Sequence, residues 1–243
     1  MNDIKSLKIK IFADGADLSG ILKLSKNPII KGFTTNPTLM RKAGIRDYES
    51  FARQVLEAIT DRPVSFEVFS DNIEGMEAQA MKIASWAKNV NVKIPITNTK
   101  GDSMIPLINR LSDNGVSVNV TAIMTMDQIS SVAKVLNKSI YSVVSVFAGR
   151  IADTGIDPMP MMKEAVTILE ENSNADLLWA SPRELLNIFH ADQCGCDIIT
   201  VTHDVLEKLK GLGKDLNQFS LETVTMFYDD AISAGYIINT TKK

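Results

Sequence analysis

The sequence predicts a (β/α)8 TIM barrel with one extra helix at its C-terminal end. Three observations favour this α/β fold class. Short apolar runs, typical of buried parallel strands, alternate with longer segments of helical periodicity. The runs recur about every 30 residues, which is the length of one βα unit. Eight such units fit a chain of 243 residues, because a barrel of this kind needs about 250 residues.

The eight predicted strands are short and rich in Val, Ile and Phe. They lie at residues 8–13, 30–34, 64–69, 90–94, 117–122, 140–147, 176–180 and 197–201. Between the fourth and fifth, apolar residues at 104, 107, 108 and 111 have the i, i+3, i+4, i+7 spacing of one helix face. A doubly wound sheet is the alternative, but no glycine-rich turn follows the first strand.

No linker or low-complexity segment divides the chain, so we expect a single barrel domain over residues 1–243. A last helix is predicted over about 216–234, beyond the eighth unit. Leu221, Val224, Tyr228 and Ala231 would lie on one side of it. This helix is expected either to cap the barrel or to reach a neighbouring subunit.

Composition excludes several classes of protein. The chain is 45% hydrophobic and 23% charged, which is an ordinary composition for a soluble protein. Its net charge is -3, whereas proteins that bind nucleic acids or membrane surfaces have an excess of basic residues. It shows no secretory signal and no apolar run of about 18 residues, so we expect a cytoplasmic protein.

Cys194 and Cys196 are too close for a disulfide framework and lack neighbouring metal ligands. We therefore expect two small buried apolar residues and no metal.

Catalytic groups of a barrel lie at the carboxyl ends of its strands. Polar side chains occupy the ends of seven predicted strands, where charged and amide groups are unfavourable unless paired or used. In chain order they are Asp14, Thr34, Thr35, Asn36, Glu67, Lys93, Asn119, Thr121, Ser145, Arg150, Ser181 and Arg183. This end of the barrel is the predicted active site.

Lys93 stands inside the apolar fourth strand. Burial disfavours the charged form of an amine, and a neutral amine can attack a ketone to form a Schiff base. The resulting iminium withdraws electrons, so the neighbouring C–C bond can break without a metal or cofactor. The structural alternative is a lysine at a strand end that extends its amine to solvent.

Six segments resemble the motifs of the transaldolase family, in the family's order. They are Thr-Thr-Asn-Pro at 34–37, Val-Lys-Ile-Pro at 92–95, Val-Asn-Val-Thr at 118–121, Phe-Ala-Gly-Arg at 147–150, Ala-Ser-Pro-Arg at 180–183, and the stretch 191–200. The matches run from 12 to 202, which is most of the chain. The length resembles the short subfamily, which includes fructose-6-phosphate aldolase and forms rings of five, often stacked to ten. The family's fold is a TIM barrel.

The resemblance implies a role for each catalytic candidate. Lys93 would form the imine with a ketose phosphate such as fructose 6-phosphate or sedoheptulose 7-phosphate. Asp14 would take the C4 hydroxyl proton as the C3–C4 bond breaks. Glu67 and Thr121 would transfer protons through a bound water. A dihydroxyacetone unit would stay on the lysine until an aldose phosphate accepts it.

The resemblance also implies substrate-binding residues, a homo-oligomer of five or ten subunits and a place in sugar-phosphate metabolism such as the pentose phosphate pathway. The expected substrate-binding residues are Thr35, Asn36, Asn119, Ser145, Phe147, Arg150, Ser181 and Arg183. Arg150, Ser181 and Arg183 among them would hold the phosphate by charge-assisted hydrogen bonds. Pro182 interrupts this phosphate motif and removes one backbone N–H.

Two positions favour a transferase over an aldolase. The short aldolases that this chain resembles have Gln at the Glu67 position and Tyr at the Phe147 position. A phenol would help to protonate the enamine and release dihydroxyacetone, whereas Phe147 cannot donate a proton. The aldolase is the alternative reaction, and a sugar-phosphate-binding protein without catalysis is the alternative of another class.

Overall fold

The computed structural model describes residues 4–240, apart from the side chain of Lys5. Leu7–Glu207 forms one compact unit, and a second unit contains the described residues 4–6 and 208–240. Both cysteines lie in the larger unit, where they are buried and form no disulfide, which confirms that they are small buried residues. No helix within residues 4–240 is long and apolar enough to cross a membrane.

Eight parallel strands close into a barrel in the larger unit. They are β1 (Lys10–Asp14), β2 (Ile30–Thr34), β3 (Val64–Glu67), β4 (Val90–Pro95), β5 (Val118–Ile123), β6 (Ser142–Val146), β7 (Ala175–Trp179) and β8 (Ile198–Thr202). Each strand pairs with the next in sequence, and β8 pairs with β1. The predicted fold class is therefore confirmed, with strand ends that differ from the prediction by a few residues.

Helices connect the strands around the barrel. They are α1 (Leu18–Ser25), α2 (Pro37–Lys42), α3 (Tyr48–Ala58), α4 (Ile73–Ala84), α5 (Ile105–Asp113), α6 (Met126–Val135), α7 (Ala148–Ala152), α8 (Met159–Asn172), α9 (Leu186–Cys194) and α10 (His203–Glu207). Several begin where a polar side chain caps the free backbone N–H groups of the first turn. Asp17 accepts from the Gly20 N–H at 2.7 Å, and Thr125 and Gln128 form a capping box at α6.

An apolar cluster fills the barrel between its two ends. Phe12, Val143, Leu178, Ala180 and Ile198 are all buried in it. The Phe12 ring lies against Gly32, where an added Cβ would come within 2.6 Å of the ring, so only glycine fits at that position. This packing leaves the polar groups to the two ends of the barrel.

The second unit contains the helix α11 (Leu216–Ser233), which confirms the predicted C-terminal helix. Asp215 caps it by accepting from the Gln218 N–H at 2.9 Å. The helix buries none of its residues, and Leu221, Val224 and Tyr228 are 59%, 61% and 66% exposed. Its role as a barrel cap or as a contact between subunits stays a prediction.

Candidate active site

Lys93 lies at the centre of a set of contacts between three strands. It is 7% exposed on β4, and its Nζ lies 2.9 Å from the Glu67 Oε2 at the end of β3. The same amine donates to the Thr35 carbonyl oxygen, also at 2.9 Å. The strand register places Glu67 on one side of Lys93 and Asn119 on the other. The amine is thus held inside the barrel and does not extend to solvent, which was the structural alternative.

Asp14 ends β1 and faces the same region. Its Oδ1 accepts from the Thr34 hydroxyl at 2.8 Å, and its Oδ2 accepts from the Asn36 amide at 3.4 Å. Burial raises the pKa of Asp14 above its usual value, while the charge of Lys93 and the Thr34 hydrogen bond act in the opposite direction. A carboxyl group with a raised pKa is suited to accept and return a proton.

Asn36 has two roles at once. Its Nδ2 reaches Asp14, and its Oδ1 accepts from the Leu39 N–H at 2.9 Å as the N-cap of α2. The cap fixes the orientation of the amide, so its N–H points towards the carboxylate. Asp17 is a second acid in the loop after β1, but it caps α1, and hydrogen bonds from Ser19 and Gly20 lower its pKa. It therefore belongs to the helix start.

Three further residues support this centre, and sequence reasoning did not assign them a role. The Thr34 hydroxyl is hydrogen-bonded to the Thr200 hydroxyl as well as to Asp14. The Tyr48 hydroxyl donates to the Glu67 carbonyl oxygen and accepts from the Glu67 N–H, both at 2.8 Å. Thr34 is among the polar residues predicted at the strand ends, and the two-residue strand period could have identified Thr200. Tyr48 begins a helix 19 residues before Glu67, and nothing in the sequence connects the two.

A second group of polar residues lines β5 and β6. The buried Asn119 donates to the Ser65 hydroxyl at 3.2 Å and accepts from the Ser145 hydroxyl at 2.6 Å. The Thr121 hydroxyl is buried and has no hydrogen-bond partner within residues 4–240. The next residue, Ala122, has a left-handed φ of 62°, and the β5–β6 register shifts there. The hydroxyl of Thr121 is thus available for a water or a substrate.

The ends of β6 and β7 meet at Gly149 and Ser181. A Cβ on Gly149 would come 1.5 Å from the Ser181 carbonyl oxygen, so this contact requires glycine. Ser181 itself has a left-handed φ of 63°, a strained conformation that clusters at functional sites. Beside them, the Arg150 guanidinium carbon lies 5.9 Å from the ring centre of Phe147. The ring of Phe147 packs against the apolar cluster of the barrel.

The two expected phosphate-binding arginines differ in their partners. Arg183 contacts Asp153 through both Nε, at 2.9 Å from Oδ1, and Nη2. Arg150 is exposed and has no ion pair within the described part of the chain. A phosphate could therefore bind to Arg150 without displacing an ion pair, whereas at Arg183 it would compete with the Asp153 carboxylate.

The imidazole of His203, which follows β8, lies close to Gly15. A Cβ on Gly15 would come 2.9 Å from the His203 Nε2, so a larger residue at this position would require the histidine side chain to shift.

The comparisons with known proteins agree with this geometry. The sequence profile of the "Transaldolase/Fructose-6-phosphate aldolase" family matches residues 11–240. The chain belongs to this family. Among its relatives, a "Probable transaldolase" of Dehalococcoides mccartyi is 36% identical over 202 residues, which cover 83% of this chain and 90% of that protein. A "Probable transaldolase" of Streptococcus agalactiae is 33% identical over 194 residues, 79% of this chain and 86% of the relative.

Solved structures support the barrel fold alone. The tryptophan synthase α subunit of Campylobacter jejuni has a TM-score of 0.55 at 12% identity, over 83% of this chain and 90% of the other. KGPDC of Streptococcus mutans has a TM-score of 0.56 at 10% identity, over 83% and 91%. At these identities the likeness indicates a shared fold, so the argument for function rests on the site.

Proposed function

We propose that this member of the family is a transaldolase that works through a Schiff base on Lys93. It transfers a dihydroxyacetone unit from a ketose phosphate, such as fructose 6-phosphate or sedoheptulose 7-phosphate, to an aldose phosphate. The observation that carries the proposal is the buried Lys93 amine, 2.9 Å from the Glu67 carboxylate and on the same barrel end as Asp14. Family membership and the names of the relatives support the enzyme class.

The first half of the reaction makes the imine. The Lys93 amine attacks the C2 carbonyl of the ketose, and the carbinolamine then loses water. Glu67 lies close enough to Nζ to take a proton from the attacking amine and return it to the departing hydroxyl. The free hydroxyl of Thr121 would hold the water that carries this proton.

The second half breaks and remakes a C–C bond. Asp14 accepts the C4 hydroxyl proton while the C3–C4 electrons move into the iminium, which leaves an enamine and a free aldose phosphate. The enamine carbon then attacks the aldehyde of the acceptor, and Asp14 returns the proton to the new hydroxyl. Asn36, Asn119 and Ser145 are the proposed ligands of the hydroxyls of the three-carbon unit, and their hydrogen bonds to Asp14, to Ser65 and to each other support this role.

The side chain of Phe147 favours transfer over release. An enamine is lost to water as free dihydroxyacetone only after its carbon is protonated. Phe147 brings an apolar ring to this side of the site, and a phenyl group has no proton to give. The fructose-6-phosphate aldolase reaction, which ends with that release, is the competing outcome.

Arg150, Ser181 and Arg183 are the proposed phosphate site, at the ends of β6 and β7. The three residues follow the neighbouring strands β6 and β7, and the close approach of Gly149, next to Arg150, to Ser181 and Arg183 supports this grouping. We further propose a cytoplasmic homo-oligomer of five or ten subunits in sugar-phosphate metabolism. The exposed apolar side chains of α11 support an association of this kind, because such a surface is unfavourable in water.

The test is a coupled assay with fructose 6-phosphate and erythrose 4-phosphate. A transaldolase produces sedoheptulose 7-phosphate and glyceraldehyde 3-phosphate, and the second product is followed with a dehydrogenase. Glyceraldehyde 3-phosphate formed at the same rate without erythrose 4-phosphate would instead indicate the aldolase. Binding of fructose 6-phosphate with no product in either assay would indicate a binding protein without catalysis.

A further inference from the structure

The amino-terminal mouth of the barrel, opposite the candidate active site, contains a cavity of about 580 Å³ with both polar and apolar walls. Its walls are the starts of strands and the loops before them, and they include Lys10, Lys31, Arg62, Lys88, Asn91 and Tyr141. Phe12 also lines it, and this ring belongs to the apolar cluster that fills the barrel. The cavity is thus separated from Lys93 by packed side chains, and nothing in the proposed reaction uses it.

Among the residues that line the cavity, Lys10, Lys31, Arg62 and Lys88 are cations and Asp61 is a carboxylate, so the lining itself has an excess of positive charge. Lys10 is paired with Asp176 at 2.6 Å, and Arg62 is paired with Asp61 at 2.6 Å. Lys31 and Lys88 are exposed and have no ion pair within residues 4–240. The two paired cations are neutralised locally, so the two free lysines leave a site that favours an anion.

A buried amide in the same cavity lacks a partner. Asn91 is 3% exposed, and its Nδ2 has no hydrogen bond within the described part of the chain. Its Oδ1 lies 2.7 Å from the Ser117 hydroxyl, which is also 2.9 Å from the Tyr141 carbonyl oxygen. An unpaired polar group in a buried position is unfavourable, so the amide points to a ligand that can bond to it.

The Ser117 hydroxyl has one proton, and the acceptor that receives it decides whether the free atom of the Asn91 amide is a donor or an acceptor. If it donates to Asn91, the free atom of the amide is an N–H donor. If it donates to Tyr141, the amide can turn so that its nitrogen donates to Ser117 and its oxygen becomes free. An alcohol hydroxyl both donates and accepts, so it satisfies the amide in either orientation.

We propose that this mouth binds a small phosphorylated polyol or sugar. The phosphate lies against Lys31 and Lys88, and a hydroxyl of the carbon chain reaches the Asn91 amide. Cavities that bind small molecules are commonly about 300–1,000 Å³, and this one falls within that range. The site is distinct from the Lys93 centre and does not depend on the reaction proposed for it.

Glucitol 6-phosphate is the probe, because it has no carbonyl group and cannot form an imine. Its binding is measured by titration calorimetry at low salt, with the full chain carrying Arg150→Ala and Arg183→Ala to weaken binding at the other end of the barrel. Adding Lys31→Ala and Lys88→Ala should weaken binding at least ~10-fold, since two charge-assisted contacts are lost. The matched control adds Lys23→Ala and Lys134→Ala, two exposed lysines elsewhere on the barrel, and should change affinity less than ~2-fold.

Two further measurements test the contact with the Asn91 amide separately from the contacts with Lys31 and Lys88. Asn91→Leu has a similar shape but no hydrogen-bonding atoms, so it should weaken binding of glucitol 6-phosphate at least ~10-fold through loss of the hydroxyl contact alone. Inorganic phosphate should bind at least ~10-fold more weakly than the probe, because it lacks the hydroxyl contact. Unchanged affinity in the Lys31/Lys88 variant, or in Asn91→Leu, would overturn the site. Equal affinity for inorganic phosphate would overturn the polyol as its ligand.

Discussion

Replacing Asp14 by Asn tests the proton transfer that breaks the C–C bond. The substitution keeps the size of the side chain and an oxygen that can accept from Thr34 at the present 2.8 Å. It removes the ability to accept a proton from the C4 hydroxyl. The new amide N–H would face the Asn36 N–H, which now donates to Asp14 at 3.4 Å and is held by the α2 cap. That local loss is small, because the existing hydrogen bond is long.

The expected effect on turnover is large. General acid–base catalysis by one positioned side chain is worth about 10²–10⁴-fold, so kcat for transfer should fall by that factor in Asp14→Asn. This corresponds to about 3–5 kcal/mol of activation free energy. Imine formation should continue, because Lys93 and its ion pair with Glu67 do not include Asp14.

Borohydride trapping followed by mass spectrometry separates these two steps. With fructose 6-phosphate, the unmodified protein should yield an adduct of the three-carbon unit, whereas Asp14→Asn should yield an adduct of the whole hexose phosphate. The control is Asp17→Asn, which preserves the cap of α1, because Asn caps helices as well as Asp does. It should leave both turnover and adduct unchanged. A three-carbon adduct formed at the normal rate in Asp14→Asn would refute the role of Asp14.

The same variant has a predictable effect on stability. Burial raises the pKa of Asp14 in the folded state, so folding favours the protonated carboxyl. The stability of the protein therefore falls as pH rises from the ordinary Asp pKa through the raised folded value. Asn carries no charge, so Tm of Asp14→Asn relative to the unmodified protein should be higher at pH 7 than at pH 4. A relative Tm that falls between pH 4 and pH 7 would contradict this sign.

Four other substitutions test the remaining parts of the site. Phe147→Tyr should release free dihydroxyacetone from fructose 6-phosphate without an acceptor, and equal acceptor-free rates in both proteins would show that Phe147 does not set the reaction. Arg150→Ala should lower kcat/KM for phosphorylated substrates by roughly 10–150-fold. Arg183→Ala should lower it less, because the Arg183 guanidinium is already paired with Asp153. Equal losses with unphosphorylated substrates would show that the arginines have a structural role. Gly149→Ala should lower the free energy of unfolding, measured in urea, by about 1–3 kcal/mol, because the added Cβ would collide with Ser181. An unchanged midpoint of the urea unfolding curve would show that the backbone adapts.

The barrel was predictable because its strands carry a strong local signal. Short runs of apolar residues marked each strand, and every predicted strand overlaps an observed one. The strand ends carry a weaker sequence signal, because the polar residues found there are also common in loops. The strand predicted over 140–147, for example, is Ser142–Val146 in the structure. Parallel strands bring their carboxyl ends together, so the sequence also predicted that Asp14, Glu67 and Lys93 would meet.

The contacts that fix the site geometry were not predictable. Tyr48 holds the backbone of Glu67 from a helix, and this pairing depends on how α3 packs against β3. The pairing of Arg183 with Asp153 depends on two loops that are 30 residues apart. The left-handed conformation of Ser181 has no local signal, because the residue is neither glycine nor asparagine.

The central claim is that Lys93 forms the covalent intermediate. Sodium borohydride added with fructose 6-phosphate should inactivate the protein, and peptide mass mapping should find the reduced three-carbon adduct on Lys93. Lys93→Ala should form no adduct and should lose at least ~10³-fold in turnover, because the covalent route is removed. An adduct on a different lysine, or full activity after borohydride treatment with no adduct at all, would contradict the account.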